Sequence, residues 1–291
     1  MFMKMGKYFV VVLSAIVLAA CSGKNGTVTG NNGVGVTDFE IGIVEKSLTA
    51  DYLCEGDATF GDSVKLYTRT HVTLQWPEKL GNADVKPLQD TLLARCFGNE
   101  RPTSVDEAMS RYVADPVTMD DGSRLVRVDS VPDVDIDVRI LERSIDVNVL
   151  SVNSRYAAFE IYGYMYGGGA HPVYSSSFVN FDVAEGKVLG FDDIVLPGRT
   201  ADLTEAVKSA LREQYNATTD EQLLELAGIN AGAVDFSLQS PMFYFDGSNV
   251  VFYFNPYEIG PWAIGAVTVS LPWYSLDTLV RHEVLDLLGW H

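Results

Sequence analysis

Four histidines, three cysteines and 39 acidic residues limit the chemistry open to this chain. His71, His171, His282 and His291 stand at no metal-ligand spacing. Asp133-Asp135-Asp137 begins like a calcium loop, but that loop needs Gly at its sixth position and Glu at its twelfth. Val138 and Ser144 stand there instead, so the run reads as an acidic strand face. His282-Glu283 opens like a zinc-protease helix, yet Asp286 holds the place of the second histidine. No metal and no cofactor are expected. His171 lies close to Ser175, Ser176 and Ser177, but no acid is identifiable to orient it as a general base. There is no nucleophile elbow, no P-loop and no dinucleotide fingerprint. No catalytic residue is assigned. Glycoside hydrolysis by a carboxylate such as Glu258 is kept as an alternative, since it needs a second carboxylate about 5 to 9.5 Å away.

The residues better suited to function are aromatic. Tyr162, Tyr164 and Tyr166 alternate along an apolar run, and alternation puts them on one face of a strand. Such a row stacks sugars or anchors a protein partner; packing beneath a helix gives the same pattern. Gly167-Gly168-Gly169 ends the strand and delivers His171. Pro172 biases His171 toward extended backbone. Pro256-Tyr257-Glu258 suits a bend, from which Glu258 would pair with His171 or cap backbone amides. His171, Tyr257 and Glu258 are therefore expected to join the tyrosines around a binding cleft.

The elements that carry these residues alternate in type. Residues 64–76 have strand periodicity. Asn82 is placed to open a helix running to Phe97, and Ser104 with Glu107 forms a capping box for another. Strands are expected over 147–149, 159–166, 178–183, 187–191, 243–245, 250–254 and 266–271. Helices are expected from Thr200, from Asp220, and from Leu276 to the end. Clusters of both types without strict alternation predict an α+β fold with mainly antiparallel sheet and several packed helices. With 47% apolar and 21% charged residues the composition is globular. The net charge of −18 opposes nucleic-acid binding, because phosphate backbones would be repelled.

The first residues read as an address. Lys4 and Lys7 precede an uncharged run over 8–20, shorter than the ~20 residues of a spanning helix and suited to a signal-peptide core. Leu18-Ala19-Ala20-Cys21-Ser22 resembles a bacterial lipobox, which implies cleavage before Cys21 and lipidation of its thiol; an ordinary secretory signal cut nearby is the alternative. Several acyl chains would anchor the protein durably in a membrane. Residues 22–37, rich in Gly, Asn, Thr and Ser, form a flexible tether. The expected location is the bacterial cell envelope, at the periplasmic or surface face of the outer membrane. Cys54 and Cys96 then allow one pairing, expected as a disulfide. Its loop would contribute about 4 kcal/mol in the chain-entropy model; two separate buried thiols are the alternative.

A series of short motifs adds a resemblance. It runs Gly167-Gly168-Gly169-Ala170-His171-Pro172, Asn180-Phe181-Asp182-Val183, Gly186-Lys187-Val188-Leu189 and Asp192-Asp193-Ile194. It continues with Phe254-Asn255-Pro256-Tyr257-Glu258-Ile259-Gly260-Pro261, Gly265 and Val269-Ser270-Leu271-Pro272. In this order they resemble the RsiV-like family, the domain of unknown function 3298, with its N-terminal companion, the PdaC-like domain of unknown function 4163. The resemblance divides the chain into a signal peptide over 1–20, a tether over 21–37, a companion sub-domain over 38–176 and an RsiV-like sub-domain over 177–291. In that family the pair forms the outer part of a lysozyme-sensing anti-sigma factor, and it stands beside a deacetylase domain in a peptidoglycan enzyme. Neither role is expected here. Seven residues before a short apolar run leave no room for a sigma-binding segment, and no separate catalytic domain fits. The resemblance implies a non-enzymatic binding module that faces the cell envelope. Its expected ligand is peptidoglycan, another glycan, or an envelope-active protein such as lysozyme, toward which an acidic domain would be steered. A glycan hydrolase and a structural subunit of an envelope complex are the alternatives.

Overall fold

The computed structural model describes residues 39–57, 59–61, 63–98, 104–119, 122–236 and 242–289. The expected signal peptide, Cys21 and the expected tether lie outside the described residues. Two long strands open the described part of the chain, β1 (Ile41–Glu55) and β2 (Lys65–Leu80). Helices α1 (Lys86–Phe97) and α2 (Val105–Val113) follow. Strands β3 (Arg124–Val128), β4 (Val138–Val152), β5 (Tyr156–Tyr166), β6 (Val173–Asp182) and β7 (Lys187–Leu189) complete the first half. Then come α3 (Phe191–Ile194), α4 (Thr200–Gln214), α5 (Asp220–Ala227), β8 (Phe243–Phe245), β9 (Asn249–Phe254), β10 (Val267–Pro272) and α6 (His282–Leu288).

The fold is α+β, as the clustering of elements predicts. A seven-stranded sheet has the order β3-β1-β2-β4-β5-β6-β7, and a three-stranded sheet the order β10-β9-β8. All neighbours are antiparallel except β2 and β4, which run parallel. A parallel pair needs a long crossover, and the segment carrying α1, α2 and β3 provides it. On one face of the large sheet Val72, Leu74, Val147, Phe159 and Ile161 pack with Leu88 and Leu92 of α1 and Met109 of α2. A second core joins the three-stranded sheet, through Phe252, Phe254 and Val269, to α4 and α6. Tyr156 and Ala158 reach into it from the opposite face of the large sheet.

Local rules explain most boundaries. Ser104 caps α2 by accepting the Glu107 amide at 3.2 Å, as the capping-box pattern predicts. Helix α1 starts at Lys86, with Val85 at the cap position three residues after the expected Asn82, because Pro87 occupies its first turn, where a missing amide costs nothing. Thr219, one residue before the expected Asp220, caps α5. The acidic alternation over 133–138 is not a strand face. Strand β4 begins only at Val138, and Val134 and Ile136 are 72% and 78% exposed. With no sheet partner, their alternation reflects a solvated turn. The helix expected from Leu276 is shorter, because Val280 bridges Val195 and α6 opens only at His282. The expected division after residue 176 falls inside β6, which continues to Asp182.

The expected disulfide is also corrected. Cys54 and Cys96 are free, buried thiols. Cys54 belongs to a small cluster with Leu66 and Leu141, whereas Cys96, on α1, lies in the main core. Burial, with a smaller contribution from Asp57, pushes the Cys54 thiol up to about 11. Burial alone pushes Cys96 up to about 12. Thiolate is the reactive form, so both resist alkylation at pH 8 in the native chain, and both react once the chain is unfolded without reductant. Recovery of no alkylated thiol from the unfolded chain would restore the bridge.

At the turn into α3 the Asp193 carboxylate accepts from Lys187 at 2.5 Å and from the Gly190 amide at 2.9 Å. The Lys187 contact first, then the Gly190 amide, holds its pKa below the usual carboxylate range. A lowered folded pKa gives stability that is present above the unfolded value, about 3.9, and lost as pH falls through the folded value. Asp193→Asn is therefore expected to lower the urea midpoint at pH 7, with the gap to the unsubstituted chain narrowing as pH falls below about 3.9. A gap that persists unchanged at pH 3 would contradict this.

Candidate functional site

Strand β5 presents two different faces. Phe159 and Ile161 turn toward α1 and α2, so Glu160, Tyr162, Tyr164 and Tyr166 occupy the face away from those helices. The reading that the tyrosines pack beneath a helix does not hold. Register gives them their neighbours. Tyr162 stands between Asp146 and Ser176, Tyr164 between Ser144 and Tyr174, and Tyr166 beside Glu142. All three tyrosines are half-buried, with their edges left for contact. The Tyr162 and Tyr174 rings lie 6.3 Å apart. Burial first, then the neighbouring Tyr174 and Tyr253, raises the Tyr162 phenol above its usual range. Burial and Glu142 do the same to Tyr164. Their hydroxyls stay neutral and remain hydrogen-bond donors.

Carboxylates are interleaved with the rings. Glu160 accepts from Ser176 at 2.7 Å and from Asn148 at 3.3 Å. Asp146 accepts from Ser144 at 3.3 Å. Glu142 faces His71, whose Nδ1 is 3.7 Å away. The surface thus offers aromatic faces, neutral hydroxyls and negative charge side by side.

The second lobe builds the wall. Asn255, nearly buried, docks on the free edge of β6. Its Oδ1 accepts the Ser176 amide at 2.7 Å, and its Nδ2 donates to the Ser176 carbonyl at 3.1 Å. A side-chain amide here does what the next strand would do. Further along the same edge Arg95 donates to the Phe178 carbonyl at 2.7 Å and Asn180 pairs with β7. Glu258 holds Asn255 in place by accepting its backbone amide at 2.8 Å and its Nδ2 at 3.3 Å. Of the two expected roles for Glu258, the structure shows the amide cap. Tyr253, which lies beside Ser176, and Tyr244 pack against Phe178 with ring centroids 5.3 and 4.9 Å away.

His171 joins the two loops. Its Nδ1 lies 2.9 Å from the Pro172 carbonyl, and its Nε2 lies 3.2 Å from the Tyr257 hydroxyl. A carbonyl only accepts, so Nδ1 carries the proton and Nε2 accepts from Tyr257. The imidazole stacks on Trp262 at 4.1 Å and 18°. Tyr257 is 62% exposed and has a φ of +74°, a conformation rare for a bulky residue. Gly260 permits this loop to close: a Cβ there would lie 2.7 Å from the Gly228 carbonyl oxygen.

The structure thus brings the six binding residues expected from sequence into two adjoining groups. The ladder of Tyr162, Tyr164 and Tyr166 is linked through Tyr174 to the loop group of His171, Tyr257 and Glu258; the Tyr174 hydroxyl approaches Gly265, which follows Trp262 by three residues. Sequence reasoning missed Tyr174, Tyr253, Glu160, Asn255 and Trp262. Asn255 lay within a motif already singled out, but its role needs the β6 edge, which periodicity does not reveal. No group of three or more potential metal ligands occurs among the described residues.

Residues 192–274 match a family model described as a protein of unknown function (DUF3298), so a DUF3298 domain is present there. A crystal structure of a DUF3298 family member from Bacteroides fragilis NCTC 9343 is similar, with a TM-score of 0.63 at 22% identity over 86% of this chain and 98% of that one. A DUF3298 family protein from Pseudomonas aeruginosa PAO1 gives a TM-score of 0.52 at 15% identity over 82% of this chain and 94% of that one. At these identities the likeness shows the fold. The comparison with curated proteins gave no match.

Proposed function

We propose that the chain is a lipid-anchored protein of the bacterial cell envelope whose folded part binds a ligand without transforming it. The observation that carries this reading is the open tyrosine face, with Tyr162, Tyr164 and Tyr166 in one row beside Asp146 and Glu142. Aromatic faces flanked by hydrogen-bonding groups suit the alternating apolar and hydroxylated surfaces of a sugar chain, so peptidoglycan or a related glycan is the proposed ligand. The lipobox-like sequence ending at Cys21 supports anchoring, and the tether of residues 22–37 would let the domain reach the wall. The motifs that resemble the RsiV-like module and its N-terminal companion support a sensing or binding role over a catalytic one.

Co-sedimentation of residues 22–291 with purified peptidoglycan sacculi at physiological salt tests the proposal. Pelleting with the sacculi is the expected result, and retention in the supernatant would count against wall binding. A basic protein such as lysozyme is the second reading, favoured by the net charge of −18. Binding of that kind would weaken steeply with added salt, whereas stacking on sugars would not.

A further inference from the structure

The tyrosine row shares its sheet face with carboxylates that the chain itself leaves unneutralised. In register, Asp51, Arg69, Glu142 and Tyr166 form one row across the face, and Asp146 stands beside Tyr162 in another. Arg69 is the one Lys or Arg in the rows of Tyr162, Tyr164 and Tyr166 among the described residues. Its Nε and Nη2 donate to the two Asp51 oxygens at 2.9 and 3.0 Å, so Asp51 takes that cation. Glu142 is left with His71, 3.7 Å away, and accepts no hydrogen bond among the described residues. Its side chain is 35% exposed. Asp146, also partly exposed, accepts from the Ser144 hydroxyl at 3.3 Å and forms no ion pair among the described residues. After burial, Glu142 is the largest cause of the raised Tyr164 phenol, so ring and carboxylate share one local field.

A sugar stacked on Tyr162 and Tyr164 would cover the carboxylates beside them. Taking a carboxylate out of water is costly unless a positive charge replaces the water. A neutral N-acetylated sugar would leave Glu142 and Asp146 in that condition. A protonated amine on the sugar ring would not. It supplies both charge and donor for a charge-assisted hydrogen bond, and a cation is also drawn to a tyrosine ring face. An amine on a wall peptide comes with carboxylates of its own, which this face repels. Glu142 and Asp146 are four residues apart on β4, about 13 Å at the rise of a strand, so they meet two different sugars of one glycan strand.

We infer that the tyrosine face selects a glycan with free amino groups on its sugar rings, with the rings stacked on Tyr162 and Tyr164 and the ammonium groups received by Asp146 and Glu142. The inference rests on the function proposed above, because it names the chemistry of that same ligand. Ion pairs covered by the sugar are screened less by salt than exposed ones, so this binding keeps the modest salt dependence expected of stacking.

The test is calorimetric titration of the purified chain with the β-1,4-linked trimer of glucosamine, the matching trimer of N-acetylglucosamine, and trilysine amide, in identical buffer and salt. The glucosamine trimer is expected to bind at least about tenfold more tightly than either of the others. Glu142→Gln with Asp146→Asn should bring the two sugar trimers within about threefold of each other. Glu213→Gln with Glu225→Gln makes the same change of charge at exposed positions on α4 and α5, and should keep the preference. Equal affinity for the two sugars, equal affinity for trilysine amide, or the same loss in both double variants would overturn the inference. Should the first double variant not fold, Glu142→Gln alone decides, since its carboxylate has no hydrogen bond to lose; an undiminished preference there would overturn the inference equally. If neither sugar trimer binds, the inference falls as well. Pelleting of the same chain with sacculi would then leave the wall reading standing, and retention in the supernatant would remove both.

Discussion

Asn255→Ala is expected to cost about 3 kcal/mol of folding stability, read from urea unfolding at pH 7. The amide of Asn255 satisfies both main-chain groups of Ser176 at an otherwise free strand edge. Alanine removes both partners while Ser176 stays buried, and each buried main-chain group left unpaired costs roughly 1–3 kcal/mol. The Glu258 carboxylate loses its side-chain donor as well. Asn255→Asp separates the contributions. It still accepts from the Ser176 amide, but it cannot donate to the carbonyl and places a second carboxylate beside Glu258. It should therefore fall below the unsubstituted chain too. A loss under 1 kcal/mol for Asn255→Ala would mean that the contact between the two lobes does not depend on this amide.

The second large effect concerns binding. Tyr162→Ala with Tyr164→Ala should lower affinity for the proposed wall ligand at least about 30-fold, because an aromatic anchor at the centre of a contact contributes ~2 kcal/mol or more. Folding should survive. Both rings lie on the face away from α1 and α2, and the core beneath is built from Phe159, Ile161 and Val147. An unchanged circular dichroism spectrum would confirm that the loss is local. Tyr274→Ala is the matched control, since Tyr274 is exposed but lies outside the ladder.

Much of this architecture was legible in the sequence, for identifiable reasons. Period-two runs gave β2 and β5, Ser104 and Glu107 marked the start of α2, and the aromatic pair of strands β8 and β9 was set apart by Asp246-Gly247. Each signal is local, so one stretch of chain contains it. What stayed hidden depends on partners distant in sequence. Nothing in residues 65–80 or 138–152 reveals that β2 and β4 run parallel. Val134 and Ile136 alternate with aspartates as a strand would, yet no neighbouring strand receives them, and alternation without pairing is only a turn. Cys54 and Cys96 were two thiols with one possible pairing; the structure puts them in different clusters, where burial accounts for both.

The candidate site shows the same division. Tyr162, Tyr164 and Tyr166 were found because they sit on a single strand. Tyr174 and Ser176 join them only through the β5–β6 register, and Asn255 and Tyr253 arrive from another sheet. The pairing of His171 with Tyr257 links residues 86 positions apart. The sequence sets both motifs apart but does not show their contact, and Trp262 as the stacking partner carries no sequence signal beyond its proximity to Pro261.

The most direct measurement of the central claim is sacculus co-sedimentation of residues 22–291 beside the Tyr162→Ala/Tyr164→Ala and Tyr274→Ala variants, under identical salt. Pelleting of the unsubstituted chain and of Tyr274→Ala, with the double variant left in the supernatant, is the predicted result. Equal pelleting of all three would contradict it, and would move the binding surface off the tyrosine face.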